Sequence, residues 1–142
     1  MKWFAGLLGF VGVMVLVVHL NAADMSSTEI QGRLVPEKDG EPLKFKTDSG
    51  NTYTLLRTHQ SVALFLDTNL QSKTLLLKGR VWPGTENFEV TGNLHSIRNG
   101  KTNELFYYCN TCAIKGIEPG PCMCCREPVE LVEEPVGSKS DH

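Results

Sequence analysis

No cysteine occurs among the first 108 of the chain's 142 residues. No disulfide framework can therefore hold that part together, and no thiol follows the N-terminal apolar run to accept a lipid. Positive charge is also not in excess: 14 Lys and Arg stand against 16 Asp and Glu, a formal net charge of −2, so the electrostatic footprint of a nucleic-acid binder is missing. No Walker loop, nucleophile elbow or Ser/His/Asp set appears. Covalent c-type haem is unsupported because Ala113 follows Cys112 and Arg126 follows Cys125, where that chemistry needs histidine. Asp67, Glu86 and Glu89 are scattered carboxylates that read as solvated rather than catalytic.

What is present begins with a targeting pattern. Lys2 supplies a positive charge, residues 3–18 form an unbroken apolar run, and Asn21-Ala22-Ala23 ends in small residues suited to cleavage. This predicts a signal peptide over 1–23, a mature chain from Asp24 and an exported, periplasmic or secreted protein; the alternative is an uncleaved N-terminal anchor. No later stretch is long and apolar enough to span a membrane. The remaining 119 residues suffice for one compact domain, or for a small domain carrying a metal-stapled appendage.

Residues 28–108 alternate as β-structure and are punctuated by turns. Strands are expected at 29–35, 43–47 and 52–56, the last two joined by a hairpin through Asp48-Ser49-Gly50-Asn51. Val62, Leu64, Phe65, Leu66 and Leu70 crowd together without strict alternation, so 60–70 is expected as one short helix. Strands resume at 73–82, 88–97 and 104–108, with Pro83-Gly84 and Arg98-Asn99-Gly100-Lys101 as turns. Three strands, a short helix and further strands is the element order of a five-stranded OB-type barrel, in which the helix plugs one end. The expected fold is mainly β: an OB-like β-barrel over 24–106, a cysteine-rich zinc-ribbon-like module over 107–131, and a flexible tail over 132–142.

The chemistry lies in the five cysteines. Cys109-Asn-Thr-Cys112, nine residues, then Cys122-Met-Cys124-Cys125 gives C-x2-C-x9-C-x2-C with one extra thiol. Each C-x2-C turn brings two thiolates to one side of a tight loop, and two such loops supply the tetrahedral four-sulfur set that zinc favours. Cys109, Cys112, Cys122 and Cys125 are the expected metal ligands. Cys124 either replaces Cys122 or Cys125 or stays a free thiol. An oxidising compartment keeps two disulfides with one thiol left over as the competing arrangement. Zinc is the expected metal, with iron or Cu(I) as thiolate-compatible alternatives.

From Tyr107-Tyr108-Cys109 to Pro119-Gly120-Pro121-Cys122-Met123-Cys124-Cys125, the chain resembles the short zinc-ribbon and heavy-metal-binding modules of exported metal-handling proteins. In those an aromatic precedes the first knuckle and Pro-Gly-x-Cys opens the second. The resemblance implies ligand roles for Cys109, Cys122 and Cys125. Where the heavy-metal-binding family carries Met and His after the first cysteine, this chain has Thr111 and Cys112, which makes the set all-sulfur.

Other candidates are weaker. His59, His95 and His142 are each readable as a ligand or as an ordinary surface residue. Trp82, Phe88, Tyr53 and Tyr107 could form a stacking platform or belong to the core and barrel rim. A thiol-disulfide oxidoreductase would need a C-x2-C at a helix N-terminus in a βαβ context, which the pattern does not provide. The expected function is non-enzymatic: an exported binding or interaction protein with a structural four-cysteine zinc site. Its partner would be a protein or small ligand on the barrel. Soft-metal handling is the alternative.

Overall fold

The computed structural model describes residues 26–36 and 40–138. The predicted signal segment, His142 and the end of the expected tail lie outside the described residues. The strands are β1 (Thr28–Val35), β2 (Lys44–Thr47), β3 (Thr52–Leu55), β4 (Leu75–Val81), β5 (Asn87–Val90), β6 (His95–Arg98), β7 (Lys101–Cys109), β8 (Ile114–Gly116) and β9 (Glu130–Pro135). One short helix, α1 (Val62–Leu66), and a 3-10 turn over Thr68–Ser72 lie between β3 and β4. The protein is mainly β, and among the described residues no helix is long and apolar enough to cross a membrane.

Five strands close into a ring. β1 pairs antiparallel with β2 and β4, β2 with β3, and β4 with β5; the parallel pair β3–β5 completes the circuit. The period-2 pattern fixes which residues face inward. Phe45, Leu75, Leu77 and Phe88 are fully buried, and Leu55 and Val90 nearly so, in one apolar core. α1 and the following turn add Ala63, Leu64 and Leu70 to this core, and buried Ser61 donates to the Leu56 carbonyl, tying the approach to α1 back to the end of β3.

Two glycines make the ring's tight coiling feasible. Gly32 faces Thr47 of β2 and Leu75 of β4 at once, and Gly79 faces Thr28 of β1 and Val90 of β5. A Cβ at Gly32 would collide with the Lys46 carbonyl, and one at Gly79 with the Glu89 carbonyl.

The structure corrects several expectations. The single helix over 60–70 breaks at Asp67, whose extended backbone ends α1 while its carboxylate accepts from the Asn69 N–H at 2.9 Å and opens the 3-10 turn. The single strand over 88–97 is two strands along β4. Val90 faces Gly79 and His95 faces Leu76, so five steps on one side match three on the other. The surplus bulges at Thr91-Gly92, where both N–H groups donate to the Lys78 carbonyl.

The boundary expected between 106 and 107 falls inside β7, and Leu105 and Tyr107 on either side of it belong to the same core. β6 joins the ring by pairing with β4, β7 pairs with β6, and β9 lies along β7. Residues 132–135, expected in a flexible tail, are thus in β9. Glutamates are typical of a solvated tail, but here Glu133 is accommodated in the sheet by Lys73 Nζ at 2.7 Å and by the Ser96 hydroxyl.

Candidate metal centre

β7 carries the first cysteine to its position. Tyr107, Tyr108 and Cys109 face Gly116, Lys115 and Ile114 of β8, so the first C-x2-C is the turn of the β7–β8 hairpin. The second knuckle is closed by its own bonds: the Cys122 N–H donates to the Glu127 carbonyl at 2.7 Å, the Arg126 N–H to the Cys122 carbonyl at 3.0 Å, and Pro121 bridges to Pro128. Gly120, at φ 125°, makes the reversal that Pro119-Gly120 was expected to make.

The two knuckles share a local geometry. The residue immediately after each second cysteine is left-handed, Ala113 at φ 54° and Arg126 at φ 66°. In each knuckle the first sulfur accepts backbone N–H groups from two and three residues on, Thr111 and Cys112 for Cys109, Cys124 and Cys125 for Cys122. Non-glycine residues enter the left-handed region at a cost, so its occurrence at both equivalent positions shows that the sulfur-wrapping turn dictates the backbone.

These turns converge. The Sγ atoms of Cys109, Cys112, Cys122 and Cys125 all lie within 4.8 Å of one another. Four thiolates about 2.3 Å from one ion would form a tetrahedron with edges of about 3.8 Å, so small adjustments close the set around a metal. Cys109 Sγ and Cys125 Sγ are 3.4 Å apart, and all five cysteines are free thiols. Cys109 and Cys122 are buried, Cys112 and Cys125 half-buried, and Cys124 is exposed outside the four-sulfur set.

The electrostatics are uneven. Backbone N–H groups of Cys125 and Cys124 pull the Cys122 thiol down to about 6, against the effect of burial, which favours its thiolate form. The Cys112 thiol is pushed up by the thiols of Cys125 and Cys124 and by burial. At Cys109 the Cys112 N–H pulls downward, but burial and the neighbouring thiols prevail and the net direction is up. A cation at the centre would favour the thiolate form at all four sites.

Asp67 couples this region to the ring. The Tyr107 hydroxyl donates to Asp67 Oδ2 at 2.7 Å, and burial together with that carboxylate raises the phenol above its ordinary range. Asp67 had read only as a scattered carboxylate. Its role was invisible because its partner lies 40 residues away in sequence. The left-handed sites had a visible signal, the position just after each C-x2-C, but alanine and arginine do not announce that backbone.

A cleft of about 400 Å³ opens beside the centre, with Cys109, Cys122, Tyr107, Ile114, Ile117 and Val129 among its walls. His59 stands at its rim, Nδ1 2.9 Å from Glu118 Oε1. Neither His59 nor His95 joins the four-sulfur set. Of the four aromatics, Phe88 and Tyr107 are buried and Tyr53 packs on the core, its ring 5.8 Å from that of Phe88. Trp82 alone is exposed, and its indole N–H shares Glu89 with Arg80. Glu89 is therefore not simply solvated: the Arg80 hydrogen bond, working against burial, holds its carboxyl below the usual range. Both C-x2-C segments lie in strand-linked turns, unlike the helix N-terminus that a thiol-redox centre uses.

No protein-family model, no curated protein and no solved structure matches this chain.

Proposed function

We propose that this is an exported, non-enzymatic binding protein, an OB-like barrel whose C-terminal loops are locked by one structural zinc ion on Cys109, Cys112, Cys122 and Cys125. The observation that carries the reading is the mutual approach of those four sulfurs within 4.8 Å. Four protein thiolates leave no open position for catalysis, so the ion's contribution is structural. It would cross-link the β7–β8 turn to the second knuckle and so shape the cleft walled by Cys109 and Cys122. That cleft, mostly apolar with the His59–Glu118 pair at its rim, is the natural place for a small ligand or a partner's side chain. Export rests on the N-terminal pattern of Lys2, the 3–18 apolar run and Ala22-Ala23.

Metal analysis with a thiol count on the full chain, purified from the exported fraction, tests this reading. Zinc near one per chain with one reactive thiol is the expected result; no metal and two disulfides overturns it.

A second reading, capture and transfer of a soft metal such as Cu(I), is favoured by one observation. Met123 is 93% exposed beside exposed Cys124, which places two soft sulfur donors at the surface next to the buried set. Rapid loss of bound Cu(I) to a competing chelator, slowed by Cys124→Ser, would select it over a static zinc site.

A further inference from the structure

A separate groove lies toward the other end of β7. Arg98, at the end of β6, faces Lys101, the first residue of β7, whereas Cys109 is the last. There the C-terminal part of β1, the approach to β4 and the end of β6 meet around a depression of about 360 Å³ lined by Arg33, Lys73, Thr74, Ser96, Arg98 and Glu133, among others. Three cationic side chains thus surround one carboxylate, in a chain whose overall charge is −2.

The carboxylate is already engaged. Glu133, its side chain only 16% exposed, accepts from Lys73 Nζ at 2.7 Å and from the Ser96 hydroxyl. Burial pushes its carboxyl up, but Lys73, Ser96 and Arg98 outweigh this and hold it ionised, below its ordinary value. The guanidiniums of Arg33 and Arg98, by contrast, make no hydrogen bond and no close ion pair with any side chain among the described residues, Arg98 acting on Glu133 only through space. The groove therefore offers two unused guanidinium forks, the remaining donors of Lys73 and the Thr74 hydroxyl.

This is the donor chemistry that recognises a tetrahedral oxyanion: guanidinium carries five N–H donors in a rigid fork, no acceptor, and a charge that does not titrate away. The spacing suits it. β1 and β6 flank β4, so the backbones that bear Arg33 and Arg98 are about 10 Å apart, two strand spacings of ~4.8 Å, and both long side chains line the one depression at the end of β4. A long polyanion fits less well, because Glu133 lies in the groove and Glu134 follows directly in β9, although Lys46 and Lys101 stand opposite Arg33 and Arg98 on the neighbouring strands.

We propose that this groove is a binding site for a single phosphate or sulfate group, free or as the ester of a small molecule, held between Arg33 and Arg98 with Lys73 as the third donor. The Lys73–Glu133 pair sets the floor and keeps the lysine in position.

The test is a titration of the metal-loaded full chain, followed through backbone amide shifts. The probes are inorganic phosphate and glucose 6-phosphate, with sodium chloride at matched ionic strength as the reference. Saturable shifts at residues 33, 73–74 and 96–99 in the low millimolar range or below are expected, at least tenfold weaker in the Arg33→Gln/Arg98→Gln double variant. An Arg57→Gln/Lys78→Gln double variant, which removes the same charge outside the groove, should bind nearly as tightly as the parent. Tighter binding of the ester points to an esterified ligand, and equal binding to the free oxyanion; both support the site. Shifts that chloride reproduces, or that survive in the double arginine variant, overturn it, as does binding of heparin without binding of either small probe. Unchanged melting of the double variant confirms that the loss is one of binding.

Discussion

The five-strand ring and the cysteine segment meet along β7, whose Leu105 and Tyr107 pack into the common core, but they are held together by different means. The ring encloses fully buried Phe45, Leu75, Leu77 and Phe88. Around the knuckles the buried side chains are the sulfurs themselves, Cys109 and Cys122, while Ile114 is 47% exposed and Met123 93%. Apolar burial suffices for the first region; the second has too little of it to repay the entropy of ordering two loops. On the proposed reading, an ion would supply in the small segment what a core supplies in the larger one.

The largest expected effect comes from taking the ion away. Structural zinc supplies on the order of 10 kcal/mol to small sites, so a Cys122→Ser variant, or chelation, should abolish stoichiometric metal and expose amides 109–129 to rapid exchange. The ring strands β1–β5 should keep their protection. If the two regions lost protection together, the contrast drawn between them would fail.

Next is the reverse experiment. Phe88→Ala opens a cavity in the ring and should cost about 3–5 kcal/mol in chemical unfolding. Metal content of the folded fraction should stay unchanged.

Tyr107→Phe probes the joint between the regions. It removes the hydrogen bond to the Asp67 carboxylate while leaving the ring of the side chain packed, with an expected loss of about 1–2 kcal/mol. Protection of the 3-10 turn over Thr68–Ser72 should fall more than that of β2. An equal change at both sites would show that Asp67 does not couple them.

The smallest effect is a gain. Ala113→Gly relieves a left-handed residue at φ 54° and should stabilise the metal-bound form by about 0.5–1 kcal/mol, read as slower zinc release to a chelator. Faster release would mean that the added freedom of the unfolded chain outweighs the relieved strain.

Much of this was legible in the sequence because it is local. Alternation marked β1, β2, β3 and β4 to within about two residues, and the C-x2-C spacing marked the same four cysteines that the fold gathers. What escaped depends on partners distant in the chain. The bulge between β5 and β6 exists because one edge of β4 must accommodate both strands, and Asp67 ends α1 where the hydroxyl of Tyr107 meets it. β9 escaped because its glutamates suit a solvated tail, and the Lys73 and Ser96 that hold Glu133 in the sheet lie 60 and 37 residues away in sequence.

The sequence by itself determined the mainly β character, the strands β1 to β4 and the two sulfur-bearing turns, since each follows from side-chain period and backbone preference within a few residues. Only the tertiary structure decided which strand pairs close the expected ring, that β7 runs unbroken from the core into the first knuckle, and that Cys124 stays outside the four-sulfur set. These depend on which strand edges remain free to pair and on which groups meet across 40 or more residues of chain, and that is decided by packing the whole molecule at once.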